Sequence, residues 1–84
     1  MKRVTKKILS YTVTYKKSDE GGYVVFVPAL PGCHSQGETI EEAERNIKEA
    51  IELYVESLSV EGEHIPNEES VFQGIIQIAY PSMV

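Results

Sequence analysis

Apolar and polar residues follow a helical period over residues 39–60 of the chain. Apolar side chains recur at spacings of three, four and one, and most residues between them are charged. Thr39 and Glu42 match a capping box, so we expect the helix to begin after Thr39. It should end near Val60, with Gly62 available as its cap. The predicted apolar stripe comprises Ile40, Ala43, Ile47, Ala50, Ile51, Tyr54, Val55 and Leu58.

Two segments before the helix have the patterns of β-strands. Residues 8–17 alternate between apolar and polar side chains, which predicts a strand with one buried face. Residues 23–27 are continuously apolar, which predicts a strand at the centre of a sheet. Residues 18–22 lie between them and predict a hairpin turn, because two of them are glycines. The expected buried face of the first strand comprises Leu9, Tyr11, Val13 and Tyr15.

Two further strands complete the expected sheet. A short strand at residues 34–36 follows a turn at Pro31 and Gly32, and a last strand spans residues 71–80. On this last strand Phe72, Ile76, Ile78 and Tyr80 share one face. The order βββαβ predicts an α+β fold, in which one long helix covers one face of a mainly antiparallel sheet of three to four strands.

The length of 84 residues and the lone cysteine limit how this chain is stabilised. We expect a single domain over residues 1–84. A chain this short buries only about 60–65% of its unfolded surface, so we expect a homo-oligomer, either a dimer or a tetramer, to add stability. Cys33 has no disulfide partner within the chain. With His34 and His64 it provides too few ligands for structural zinc, and we expect no metal and no cofactor.

Hydropathy and cysteine content bear on the compartment. No apolar run approaches the roughly 20 residues of a membrane span. The N-terminus lacks the apolar core of a signal peptide. A lone thiol suits a reducing compartment. We therefore expect a cytoplasmic protein that does not act at a membrane.

Charge divides the chain into a basic N-terminal part and an acidic body. Residues 1–17 hold six of the eight Lys and Arg residues, and residues 18–84 hold all thirteen acids. A net charge of −5 disfavours nucleic acid as the main partner. An acidic body instead attracts a basic protein. Residues 1–7 are expected to form a flexible basic arm that aids solubility, with phosphate contacts as the alternative.

The arrangement of reactive side chains argues against catalysis. Cys33 and His34 are neighbours, and neighbouring strand residues point to opposite faces, so they do not form a nucleophile–base pair. Metal-dependent nucleases need converging acids. The predicted strands contain no Asp or Glu, and most acids lie on the outward helix face or in the connections. We therefore expect that the protein is not an enzyme.

Residues 9–60 carry a specific combination of loop and helix motifs. In this combination the chain closely resembles the HicB family, the antitoxin component of a bacterial and archaeal toxin–antitoxin pair. The matching residues are Gly22-Tyr23, Pro28-Ala29-Leu30-Pro31-Gly32-Cys33, Ser35-Gln36-Gly37, Thr39, Glu41-Glu42-Ala43 and Glu49-Ala50-Ile51-Glu52-Leu53-Tyr54.

The resemblance implies a partly degraded ribonuclease-H-like fold and an inhibitory function. Antitoxins of this type bind a small basic RNA-cleaving toxin, HicA, and cover its active surface. We therefore expect an antitoxin-like protein that binds and occludes a HicA-type toxin. Two alternatives stay open at this point. One is a residual metal-dependent nuclease on the same fold, and the other is a small nucleic-acid-binding module that uses the basic N-terminal arm.

Many members of the family also carry a C-terminal DNA-binding domain. The last predicted strand already ends at Tyr80, so the resemblance implies a short form in which these 84 residues contain no such domain. We do not expect operator binding through such a domain. Any DNA contact would fall to the partner or to the basic arm.

Two groups of residues are expected to form the partner-binding region. The expected contact residues lie on the loop after the second strand and on the acidic helix face: Leu30, Cys33, His34, Gln36, Glu41, Glu44, Glu49, Glu52 and Glu56. The residues expected to keep the shape of the loop and the helix start are Gly22, Pro31, Gly32, Gly37, Thr39 and Glu42.

Overall fold

A computed structural model describes residues 6–83 of the chain. The elements are β1 (Thr14–Lys17), β2 (Tyr23–Phe26), β3 (His34–Gly37) and α1 (Ile40–Val60). The strand order in the sheet is β1-β2-β3, and both pairs are antiparallel. The predicted α+β fold with one long helix is confirmed, and the continuously apolar strand is central as expected.

The hairpin turn predicted at residues 18–22 joins β1 to β2. The backbone N–H of Ser18 donates to the carbonyl of Gly22 at 3.0 Å. This turn sets a register in which Thr14 lies opposite Phe26 and Lys17 lies opposite Tyr23.

The core lies between α1 and one face of the sheet. Its buried members are Val25, Val27, Leu30, Cys33, Ala43 and Ile47. Tyr11, Val13 and Tyr15 pack against it, which confirms three of the four residues of the predicted buried face of the first strand. Leu9 is half-buried and does not pack against this core. Ile40 departs from the predicted helix stripe, because 36% of its surface is exposed.

A side-chain cap begins α1. The Thr39 hydroxyl accepts a hydrogen bond from the Glu42 N–H at 3.1 Å, which confirms Thr39 as the N-cap. The Glu42 carboxylate accepts from the N–H of Glu38 at 3.3 Å. In a standard capping box it would accept from Thr39 instead, so the reciprocal bond is displaced by one residue.

Backbone hydrogen bonds end α1 in a Schellman motif. The N–H of Glu63 donates to the carbonyl of Leu58 at 2.9 Å, and the N–H of Gly62 donates to that of Ser59 at 3.1 Å. Glu61 is the C-cap residue. The predicted end of the helix near Val60 is therefore confirmed.

The first strand is shorter than the prediction of residues 8–17. The backbone of Ser10 and Thr12 bonds to the polar connection that follows α1. The Glu68 carboxylate accepts from the Thr12 N–H at 3.0 Å, and the Glu68 N–H donates to the Ser10 carbonyl at 3.0 Å. Since Pro28 lacks an N–H and the chain turns there, β2 has no residues left to pair with this segment.

The last strand, predicted at residues 71–80, is not formed within this chain. Residues 71–83 are exposed, and none of them is assigned to a strand. The described chain measures 69 × 29 × 21 Å, and its radius of gyration is 16.9 Å. A compact chain of this length would have a radius of gyration of about 12 Å. Residues 71–83, called the C-terminal arm below, therefore extend from the body.

Candidate functional site

The loop between β2 and β3 consists of two successive turns. The Leu30 N–H donates to the carbonyl of Val27 at 3.0 Å, and the Cys33 N–H donates to that of Leu30 at 2.9 Å. Pro31 and Gly32 are the central residues of the second turn. Gly32 has a φ of 83°, as the third residue of a type II turn requires. This geometry supports the structural roles predicted for Pro31 and Gly32, which stay a prediction.

Side chains of α1 hold this loop and the strand after it. The Tyr54 hydroxyl donates to the carbonyl of Pro31 at 2.8 Å, and the Asn46 amide donates to that of Gln36 at 2.7 Å. The sequence indicates Tyr54 as a core residue, and a buried tyrosine usually finds a hydrogen-bond partner. No sequence signal singles out Asn46. Both bonds position the loop against the helix.

The end of β3 meets the first turn of α1 without space for a side chain. A Cβ atom on Gly37 would lie 2.4 Å from the backbone nitrogen of Ala43. A Cβ atom on Gly22 would lie 2.7 Å from the carbonyl oxygen of Gly37. Glycine alone lets these segments come this close, which supports the structural roles predicted for Gly22 and Gly37.

Two predicted contact residues lie in the core instead of on the surface. Leu30 is fully buried and Cys33 is 5% exposed. A partner cannot reach either side chain. We therefore assign both residues to the packing of the loop against the core. Burial also raises the pKa of the Cys33 thiol, which disfavours the reactive thiolate.

His34 and Gln36 lie on the face of the sheet that α1 does not cover. His34 is opposite Phe26 in the register, and Gln36 is opposite Val24. All four side chains are exposed. This surface, the open sheet face, combines two polar with two apolar side chains.

The five predicted glutamates of α1 are all exposed. At 100° per residue, Glu44 projects toward the β1 side of the helix. The other four project away from the core over about 22 Å of helix, at ~1.5 Å per residue. We call these four residues the acidic strip: Glu41, Glu49, Glu52 and Glu56.

The acidic strip and the open sheet face lie on opposite sides of a two-layer fold. A single flat partner surface therefore does not contact both of them. The predicted contact residues consequently separate into three groups: buried loop residues, sheet-face residues and helix-face residues.

An apolar groove of about 980 Å³ runs along one side of α1. It exists because α1 packs mainly over β2 and β3, which leaves the layer beside β1 partly uncovered. Burial, followed by the charge of Glu44, raises the pKa of the Tyr15 hydroxyl at this groove. Glu44 therefore lies at the rim of the groove. The apolar floor comprises Tyr11, Val13, Tyr15, Ile47, Ile51 and Val55.

The carboxylates of the described residues are spread over the surface. Within residues 6–83, no group of three or more His, Cys, Asp or Glu side chains is arranged to hold a metal ion. In the same range, no helix combines the length and apolarity of a membrane span.

Only part of the basic arm lies in the described range. Lys6 and Lys7 are exposed, whereas Lys2 and Arg3 lie outside the described residues. The alternative of nucleic-acid binding through residues 1–7 therefore stays a prediction.

The sequence of the chain matches a known protein family. A family model described as the HicB-like antitoxin of a bacterial toxin–antitoxin system matches residues 11–84. The chain belongs to the HicB-like antitoxin family. The resemblance in the loop and helix motifs is thereby confirmed.

Solved structures of HicB share the fold. The crystal structure of the Burkholderia pseudomallei antitoxin HicB matches with a TM-score of 0.65 and 39% identity, over 76% of this chain and 48% of that chain. The N-terminal domain of the same antitoxin matches with a TM-score of 0.61 and 42% identity, over 70% of this chain and 69% of that chain. This HicB-like chain therefore spans about half of the longer HicB chain.

Small proteins of the UPF0150 group are similar over most of their length. A Synechocystis relative is 54% identical over 66 residues, which cover 79% of this chain and 84% of the relative. A Thermoplasma acidophilum relative is 55% identical over 60 residues, which cover 71% and 87% respectively. The HicB-like unit therefore also occurs in other short chains.

Proposed function

We propose that this HicB-like chain is a non-catalytic antitoxin that binds a small basic RNA-cleaving toxin of the HicA type and covers its active surface. The observation that carries the proposal is the acidic strip, exposed along α1 of a chain from an antitoxin family. A basic protein is the complementary partner for such a surface.

The acidic strip is expected to affect the association rate more than the final affinity. Four carboxylates along about 22 Å of helix raise the local concentration of a basic partner and orient it. Each exposed ion pair contributes only about 0.2–1 kcal/mol. A tight complex therefore also needs contacts with apolar or backbone groups near the strip.

The loop between β2 and β3 is suited to supply contacts of that kind. Pro28, Pro31 and Gly32 are exposed at its tip. Its two turns and the bond from Tyr54 fix its shape before any partner arrives. A preformed loop lowers the entropy cost of association. We therefore place exposed loop residues, in place of Leu30 and Cys33, beside the acidic strip in the proposed contact region.

The positions of the reactive side chains support a role without bond breaking. Cys33 lies in the core, whereas His34 is exposed on the open sheet face. Such placement separates the two groups that a nucleophile–base pair would need in contact. We propose that the protein acts by binding alone.

We extend the proposal to the compartment, the oligomeric state and the fold of the antitoxin. It acts in the cytoplasm as a homo-oligomer, a dimer or a tetramer, on a partly degraded ribonuclease-H-like fold. Exposed apolar side chains at Val24 and Phe26, and the extended C-terminal arm, support self-association.

The test is co-expression with the basic protein encoded by the adjacent gene, followed by co-purification and measurement of the dissociation constant. The double substitution Glu49→Lys with Glu56→Lys should weaken the complex at least about tenfold at physiological ionic strength. It should also reduce the salt dependence of binding, because fewer opposite charges then meet.

Two controls separate the acidic strip from other surfaces. Asp19→Lys with Glu20→Lys makes the same change in net charge at the exposed hairpin turn, and should leave the affinity nearly unchanged. Phe26→Asp alters the open sheet face and should also be tolerated. If Phe26→Asp abolishes binding while the strip variant binds normally, the proposed surface is wrong. If the neighbouring protein does not bind at all, the toxin assignment fails.

A further inference from the structure

The C-terminal arm exposes large apolar side chains that a soluble monomer would normally bury. Phe72, Ile75, Ile76, Ile78 and Tyr80 are between 81% and 93% exposed. Phe72 and Tyr80 alone present roughly 150–250 Å² each, and the three isoleucines add to this apolar area. One side of a stable protein interface buries about 800 Å². The arm therefore carries a substantial part of the surface that a stable contact needs.

The order of residues in the arm is that of a strand with one apolar face. Phe72, Ile76 and Ile78 fall on one side of an extended backbone, and Gln73 and Gln77 fall on the other together with a single large apolar residue, Ile75. Such a segment pairs with a sheet edge so that its apolar side meets a core and its polar side meets water.

The body of the molecule offers a site with matching features. β1 pairs with β2 on one side only, so in the described part of the chain its other edge has no strand neighbour. The apolar groove lies beside this edge, between α1 and the side chains of Tyr11, Val13 and Tyr15. A strand added to β1 would point alternate side chains into the groove and the others to the open sheet face.

The course of the chain favours an arm from another molecule at this site. The Val71 N–H donates to the Glu68 carbonyl at 3.0 Å, which forms a turn just before the arm. Residues 71–83 are all exposed, so the arm does not pack on the β1 edge of its own chain. We propose that residues 71–80 pair as a strand with the β1 edge of a second copy and place Phe72, Ile76 and Ile78 in its groove.

A reciprocal exchange of arms closes the assembly with two-fold symmetry. Each copy then gains the fourth strand that the sequence pattern predicts. The inference deepens the proposed self-association and needs no toxin.

The composition of the arm favours a second copy of this chain over a basic toxin as its binding partner. Residues 71–83 contain no charged side chain, whereas the acidic strip lies on α1, where Glu52 and Glu56 form part of the rim of the groove. The arm therefore matches the apolar groove and offers nothing to complement a basic surface.

The first experiment measures the mass of the purified chain in solution by light scattering after size exclusion. The wild-type chain of 9.4 kDa should elute as a dimer or as a pair of dimers. Ile76→Asp with Ile78→Asp should raise the dimer dissociation constant at least about a hundredfold, because a charge would be buried in the groove. Gln73→Asp with Gln77→Asp is the matched control, and it should leave the mass unchanged. A monomeric wild type, or a dimer that survives Ile76→Asp with Ile78→Asp, overturns the proposal.

The second experiment tests the site of pairing. Two chains are made in a Cys33→Ser background, one with Lys16→Cys on β1 and one with Gln77→Cys on the arm. When the two are mixed, a short thiol cross-linker should join them, because both side chains would lie on the same face of the shared sheet. A chain with Glu49→Cys on the outward helix face replaces the β1 variant as the control and should not be joined. Cross-links between two Gln77→Cys chains without mixed products would contradict pairing at β1.

Discussion

The loop region between β2 and α1 and the C-terminal arm are similar in apolar character but opposite in structural state. In the loop region Leu30 and Cys33 are buried, and hydrogen bonds from Tyr54 and Asn46 hold the backbone. In the arm, every described residue from 71 to 83 is exposed. Apolar content alone therefore does not decide which segment folds within the chain.

The difference between the two regions lies in the availability of neighbours. The loop is followed by α1, which returns over the sheet and covers Leu30 with Ala43 and Ile47. The arm follows α1, and no described element of the same chain packs on it. The loop region presents a rigid surface by itself, whereas we propose that a second copy completes the arm.

The largest expected difference in stability comes from truncating one large apolar side chain to alanine in each region. Leu30→Ala should lower the free energy of unfolding by about 3 kcal/mol, because it leaves a cavity in a fully buried site. Ile76→Ala should change the stability of the monomer by less than about 0.5 kcal/mol, since its side chain is exposed. Urea unfolding at low protein concentration measures both. Equal losses would contradict the division into a packed and an unpacked region.

A second contrast uses two glycines. Gly37→Ala should cost about 2 kcal/mol, because its Cβ would lie 2.4 Å from the Ala43 nitrogen and force β3 away from α1. Gly74→Ala in the arm is the control, since nothing lies within 4 Å of its Cβ position. Thermal unfolding of both variants measures the difference. An unchanged midpoint for Gly37→Ala would show that the two elements approach less closely.

The cap of α1 gives a smaller effect. Thr39→Ala should lower the free energy of unfolding by about 1 kcal/mol, because the N–H of Glu42 loses its acceptor. Thr39→Ser keeps the oxygen and should retain nearly all of the stability. A loss of equal size in both variants, measured by urea unfolding, would argue against the cap.

The smallest effect is a loss of stability at high pH. Burial raises the pKa of Tyr11, Tyr15 and the Cys33 thiol in the folded state, and nearby carboxylates add to the shift for the two tyrosines. The unfolded chain therefore loses these protons first, near the ordinary values of 9.0 for Cys and 10.0 for Tyr. Stability should be constant for these groups below that range and fall as the pH rises through it.

Urea midpoints measured from neutral pH to above pH 10 test this expectation. Tyr15→Phe should make the decline shallower, because it removes one of the three groups. A midpoint that rises with pH over this range would contradict the assigned environments.

Sequence predicted the loop and the helix well because their signals are local. The Thr39 cap, the Gly62 termination and the apolar stripe each depend on residues within a few positions of one another. The turn at Pro31 and Gly32 is determined in the same way. The sequence alone could not show whether Leu30 and Cys33 are buried or exposed, because their burial depends on how α1 folds back over the loop.

Strand patterns predicted less because a strand needs a neighbour. Residues 8–13 alternate correctly, yet Pro28 removes the partner strand and the connection around Glu68 binds this segment instead. Residues 71–80 alternate correctly too, but the described chain provides no strand beside them. Alternation shows that a segment can pair as a strand. It does not show which strand will lie beside it, because that depends on the rest of the fold.

The most direct test of the proposed function is the rate of RNA cleavage by the proposed toxin partner, the basic protein encoded by the adjacent gene, as the purified chain is added. We predict that the rate falls to zero at a fixed molar ratio, and that the chain alone cleaves no RNA with or without divalent metal. The Glu49→Lys with Glu56→Lys variant should require a higher concentration for the same inhibition. Undiminished cleavage at saturating concentrations of the wild-type chain would contradict the account.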